Sequence, residues 1–106
     1  MSTQNEINIV ATFVAKEGKA DELLQAMYAL IKPTRQEEGC LRYELHQSVN
    51  NPRECTMIER FKGEKALDFH IAQPYFQQFA ETTLKTIVEN SSVKFYKEII
   101  HCSESA

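Results

Sequence analysis

The stretch from Cys55 to His70 changes its hydrophobic period part-way along, which requires the chain to turn from strand to helix there. Cys55, Met57, Glu59 and Phe61 alternate with Thr56, Ile58 and Arg60, so the first four share one face of a strand. After Gly63 the spacing becomes helical, and Ala66, Leu67, His70 and Ile71 fall on one stripe. Each element therefore carries one polar side chain on an otherwise apolar face. Between Met57 and Phe61, an ionised carboxylate at Glu59 loses its hydration unless it finds a partner or a cavity. The packing expected from this pattern turns Glu59 and His70 towards one space between strand and helix.

The remaining segments supply a sheet and its cover. Ile7 to Val14 is rich in β-branched residues and reads as a first, well-buried strand. From Lys19 onward Ala20, Leu23, Leu24, Met27, Leu30 and Ile31 recur at helical spacing, predicting a long amphipathic helix kinked at Pro33 and capped at Gly39. Arg35 near its end complements the helix dipole. Cys40 to Ser48 alternates Leu41, Tyr43 and Leu45 against Arg42, Glu44 and His46, a second strand joined to the third by the turn Asn50-Asn51-Pro52. With Ser48 opposite Glu54, the hairpin pairs Leu45 with Met57, Tyr43 with Glu59 and Leu41 with Phe61, all on the core face. A short helix over about residues 64–72 follows, then one opened by Pro74 with Phe76, Phe79, Ala80, Thr83 and Ile87 as its buried stripe. A loop at Asn90-Ser91-Ser92 leads to a last strand from Val93 to Ile100. The order is that of a split βαβ arrangement in the α+β class. A single domain is expected over residues 1–106, with its core at about 7–100 and a polar tail at 101–106.

A chain of 106 residues holds one core of limited size, and pairing with a second copy would add to its burial. The net charge of −3 comes without a cluster of Lys and Arg, so nothing offers the footprint that a phosphate backbone requires, and no nucleic-acid partner is expected. The first residues are neither basic nor apolar and no run approaches the length of a membrane span, which predicts a cytoplasmic protein with no membrane partner. Three cysteines without paired spacing read as reduced thiols, Cys40 and Cys55 being small buried hydrophobes.

Gly18, Gly39 and Gly63 all lie at element boundaries, leaving no glycine-rich loop for a nucleotide phosphate. His46, His70 and His101 share no ligand spacing, and the pair His101-Cys102 falls in the tail. The expectation is thus no bound cofactor and no metal. No serine occupies a nucleophile-elbow sequence. A carboxylate, a phenol and an imidazole remain: Glu59, Tyr43 and His70. Each also has a plainer reading. Glu59 could pair with Arg42 or Arg60 at a sheet edge, His70 could be a hydrogen-bonded core histidine, and Tyr43 a packing residue whose hydroxyl needs a partner.

The run Arg35-Gln36-Glu37-Glu38-Gly39-Cys40-Leu41-Arg42-Tyr43-Glu44-Leu45, with Glu59-Arg60-Phe61, Ala66-Leu67, His70 and Pro74-Tyr75-Phe76, resembles the antibiotic biosynthesis monooxygenase domain family. The similarity runs from Ile7 to about Tyr96. It implies a ferredoxin-like protomer that joins a second copy through its sheet, giving a homodimeric α+β barrel with one pocket per subunit between sheet and helices. The family includes cofactor-independent oxygenases of quinols and anthrones, enzymes acting on a phosphorylated signalling sugar derivative, and haem-degrading relatives. Phe61 stands where many relatives carry tryptophan. Asn8 matches an asparagine of the haem-degrading branch, but Ala80 stands in place of that branch's histidine, and Ile31 in place of the histidine used by the sugar-processing one.

Taken together, these readings predict a cofactor-independent monooxygenase acting on a small aromatic or quinone-like substrate. His70 is the expected base, Glu59 orients it or shares its proton, and Tyr43 bonds the substrate oxygen. Asn8, Leu41, Met57, Phe61 and Phe76 are the expected pocket wall. Two alternatives use the same cavity: an isomerase or aldolase-type reaction on a small carbonyl compound, and a non-catalytic stress-response module that only binds a small ligand.

Overall fold

The structure is a computed structural model that describes residues 5–99. The tail expected at His101 to Ala106 lies outside the described residues. Four strands form one antiparallel sheet in the order β2-β3-β1-β4. They are β1 (Ile7–Ala15), β2 (Cys40–Gln47), β3 (Glu54–Phe61) and β4 (Val88–Tyr96). The helices are α1 (Ala20–Tyr28), α2 (Ile31–Arg35), α3 (Glu64–Ile71), α4 (Pro74–Gln78) and α5 (Leu84–Thr86), with a π-helical turn at Phe79–Thr83 between the last two. This is the α+β ferredoxin-like arrangement.

Alternation decides which face is covered. Ile9, Ala11, Phe13 and Ala15 of β1 and Cys55, Met57, Glu59 and Phe61 of β3 are all buried. They meet Leu23 and Met27 of α1, Leu30, and Phe79 and Ile87 from the last helical segment in one core cluster. Phe13 and Phe79 meet edge to face, their ring centroids 5.8 Å apart, a favoured aromatic geometry.

The first helix is two helices. It breaks at Ala29–Leu30, upstream of Pro33, which becomes the third residue of α2. A proline ring crowds the carbonyl four residues back, here Ala29, and the first turn of a helix is where a missing N–H costs nothing. The expected loop at Asn90-Ser91-Ser92 is also corrected: these residues belong to β4, paired with Val14, Phe13 and Thr12 of β1. Pairing against an inner strand outweighs the weak strand preference of Asn and Ser.

The hairpin pairs Leu45 with Met57 and Tyr43 with Glu59 as the alternation requires. It slips between Cys40 and Arg42, so that Cys40, not Leu41, faces Phe61. Leu41 sits at this irregularity and is exposed.

Candidate active site

Glu59 lies on an inner strand, with Ile9 across from it on β1 and Tyr43 across from it on β2. Alternation along β3 forces its side chain to the covered face, where it is 8% exposed. Neither arginine considered for it arrives. Arg60 points to the opposite face, donating from Nε to the Asn8 Oδ1 at 2.7 Å and from Nη2 to Glu98 at 2.9 Å. Arg42 pairs with Glu44 at 3.0 Å. Burial without a cation pushes the Glu59 carboxyl up to about 8, with the negative charge of Glu37 adding to the effect. At neutral pH the group therefore holds its proton. Burial also raises the Tyr43 phenol far above its ordinary range, with Glu59 contributing, so it stays a donor.

His70 occupies the last turn of α3 and is 1% exposed. The rings of Phe61 and Phe76 lie 5.0 Å from it by centroid and that of Tyr43 lies 5.6 Å away. Its Nδ1 is 2.9 Å from Oε2 of Glu37, and both side chains are almost wholly buried. The Tyr75 hydroxyl donates to the same Glu37 oxygen. The imidazole Nε2 is buried with no partner among the described residues.

Tyr43, Met57, Glu59, His70 and Phe76 line one cavity of about 180 Å³, whose remaining surface is almost entirely apolar. Val93 and Phe95 of β4 also line it and are more than half exposed, which marks the side open to solvent. A larger, more open depression of about 980 Å³ over Lys62, Gly63 and Lys65 is lined by charged side chains together with Ile7, Ala66 and Phe69, and holds none of these groups. Among the described residues no three His, Cys, Asp or Glu side chains are grouped to hold a metal ion.

Residues 7–82, most of the chain, match the family model for antibiotic biosynthesis monooxygenase. The chain belongs to that family. Of solved structures, the Shewanella oneidensis protein SO0527 is similar at a TM-score of 0.89 and 39% identity, over 92% of this chain and 95% of that one. The Bacillus subtilis protein named "Putative monooxygenase YcnE" is 33% identical over 69% of this chain and 77% of its own length. A Synechocystis relative named "Uncharacterized protein sll1783" is 26% identical over 86% of this chain, which spans only 62% of that protein's length.

Within this monooxygenase-family chain, the residues singled out by pattern separate into two sets. Tyr43, Met57, Glu59, His70 and Phe76 come together around the cavity. Phe61 is fully buried behind the imidazole, as a support for it and not as cavity surface. Leu41 and Asn8 are corrections. The slip in β2 turns Leu41 outward, and Asn8 alternates onto the far face of the sheet, where Arg60 holds it. Glu37 is the buried group that pattern analysis passed over: it belongs to a charged run in the connection from α2 to β2, where no periodicity reports which side chain turns inward.

Proposed function

We propose that this chain is a monooxygenase that oxidises a small quinol-like aromatic with molecular oxygen, without a bound cofactor, and works as a homodimer. One observation carries the reading. The imidazole of His70, on the wall of an apolar cavity, has Nδ1 bonded to a buried carboxylate and Nε2 left without a partner among the described residues. An imidazole in that state accepts a proton at Nε2, as a base held by an acidic orienting group does in other enzymes.

His70 takes the proton of a substrate hydroxyl, and Tyr43 donates a hydrogen bond to the resulting oxyanion. The electron-rich anion gives one electron to oxygen, and the two radicals combine at a ring carbon to form a C–O bond. Glu59, neutral near pH 7, supplies the proton that makes this a hydroperoxide. The O–O bond and the C–H bond of the same carbon then break, the C–H proton leaves with the departing hydroxide as water, a carbonyl remains, and the proton held by His70 passes back to Glu59 to reset the site. One substrate and one O2 thus give one quinone-type product and one water. The apolar walls give water few hydrogen-bonding partners beside the anion, which limits its competing protonation.

The membership in this family and the naming of YcnE as a putative monooxygenase support the reaction class. The competing isomerase or aldolase-type reaction on a phosphorylated carbonyl compound is less well served, because no Lys or Arg lines the cavity to meet a phosphate. Oxygen uptake by metal-free protein, measured across a panel of quinols and anthrones, tests the proposal. Stoichiometric uptake with quinone formation is expected, and His70→Ala should lower it about 100-fold or more while the protein stays folded. Tight binding of the same compounds with no uptake would leave only a binding module.

A further inference from the structure

The connection from α2 to β2 and the start of α4 each bring to the imidazole a group, Glu37 and Tyr75, that does not line the cavity. Glu37 comes from the first. Its backbone is tied at both ends, its N–H donating to Thr34 at 3.0 Å and its carbonyl accepting from Cys40 at 3.1 Å. Tyr75 comes from the second, one residue after Pro74 opens α4, and the next residue, Phe76, packs on the imidazole ring. Oε2 of Glu37 accepts from both Tyr75 and Nδ1 of His70. A carboxylate only accepts hydrogen bonds, so the ring nitrogen facing it must carry the hydrogen. The tautomer of a histidine is set by the bond its other nitrogen makes.

We propose that Glu37 is the positioning residue of His70, with the Tyr75 hydroxyl holding its carboxylate in place: together they lock the imidazole as the Nδ1–H tautomer and keep Nε2 as the nitrogen with the free lone pair. The role in catalysis rests on the reading of His70 as the base. The lock itself does not. Phe61, Phe76 and Tyr43 pack against the ring, so it cannot turn to exchange its nitrogens without displacing them. Glu59 on β3 and Tyr43 on β2 share the cavity with the ring, and the Cys40 thiol at the start of β2 lies within electrostatic reach of Glu37 and Tyr75; burial raises all three above their ordinary values, so each holds its proton at neutral pH.

Nitrogen NMR of the isotope-labelled full chain reads the tautomer of His70 directly. The expected spectrum is Nδ1–H at neutral and alkaline pH. In Glu37→Gln the amide can donate as well as accept, so the tautomer should become mixed. In Tyr75→Phe the carboxylate keeps its bond to Nδ1 and Nδ1–H should remain the major tautomer. A merely structural role leaves the tautomer ratio unchanged in Glu37→Gln. An Nε2–H tautomer in the unaltered protein overturns the proposal, an outcome readable even if Glu37→Gln does not fold, as does a folded Glu37→Gln that keeps Nδ1–H alone. Because no substrate is involved, a locked tautomer in a protein that takes up no oxygen removes the proposed reaction and leaves the lock standing.

Discussion

Glu59 stands where an apolar residue would stabilise the sheet, and the cost of placing a carboxyl there depends on pH. In the unfolded chain the group ionises near its ordinary value, whereas in the fold burial raises it to about 8. Between the two the folded state holds a proton that the unfolded state has released, so stability falls as pH rises. The contribution of this group is complete below about pH 4.5, where both states are protonated, and is lost by about pH 8. Glu59→Gln should therefore flatten the decline, removing a slope of up to about 1.4 kcal/mol per pH unit, as measured by urea unfolding at a series of pH values from 5 to 8. An unchanged slope would show that Glu59 is solvated. The position of this residue was legible in the sequence because one charged side chain interrupted an apolar alternation. Glu37 was not, since Arg35, Gln36, Glu37 and Glu38 are all polar and only the fold distinguishes the one that turns inward.

At the scale of elements, strand faces and their pairing followed from alternation, and the departures came where packing overrode a local rule. Gly39 reads as a helix cap, but it has no left-handed backbone; Gly18, at φ 79°, is the glycine that does. What Gly39 provides is closeness: a Cβ placed there would overlap the Ala66 methyl of α3. A contact between a turn and a helix distant in sequence leaves no periodic trace. The consequence reaches the site, because α3 carries His70. Gly39→Ala should push α3 away from β2, lowering stability by about 1–3 kcal/mol and oxygenase activity along with it. Adding Ala66→Gly should restore part of both, despite a helix-propensity cost of about 1 kcal/mol, and thermal unfolding of the single and double variants measures the coupling. Strict additivity would mean that the two residues do not touch.

Considered whole, the molecule sets its charge against its cavity in a way that bears on what can enter. The chain is acidic overall, at −3, and its cationic side chains lie elsewhere: Arg35 binds the Tyr43 carbonyl, Arg53 that of Ala15, and Arg60 the far face. The cavity itself offers a carboxyl group, a phenol and an imidazole. Its 180 Å³ is near the size of an engineered apolar cavity of about 150 Å³ that takes up benzene, so it suits one aromatic ring more readily than three. An anion entering it would lose its hydration and gain no counter-charge. A single-ring uncharged quinol should raise the melting temperature in a concentration-dependent way, by mass action on the folded state, whereas its phosphorylated counterpart should leave it unchanged at equal concentration. Placing arginine at Met57, beside Glu59 on the same face, should disfavour the neutral ligand. A wild-type protein that instead prefers the phosphorylated compound would transfer the argument to the carbonyl chemistry, with His70 and Glu59 acting on a different substrate.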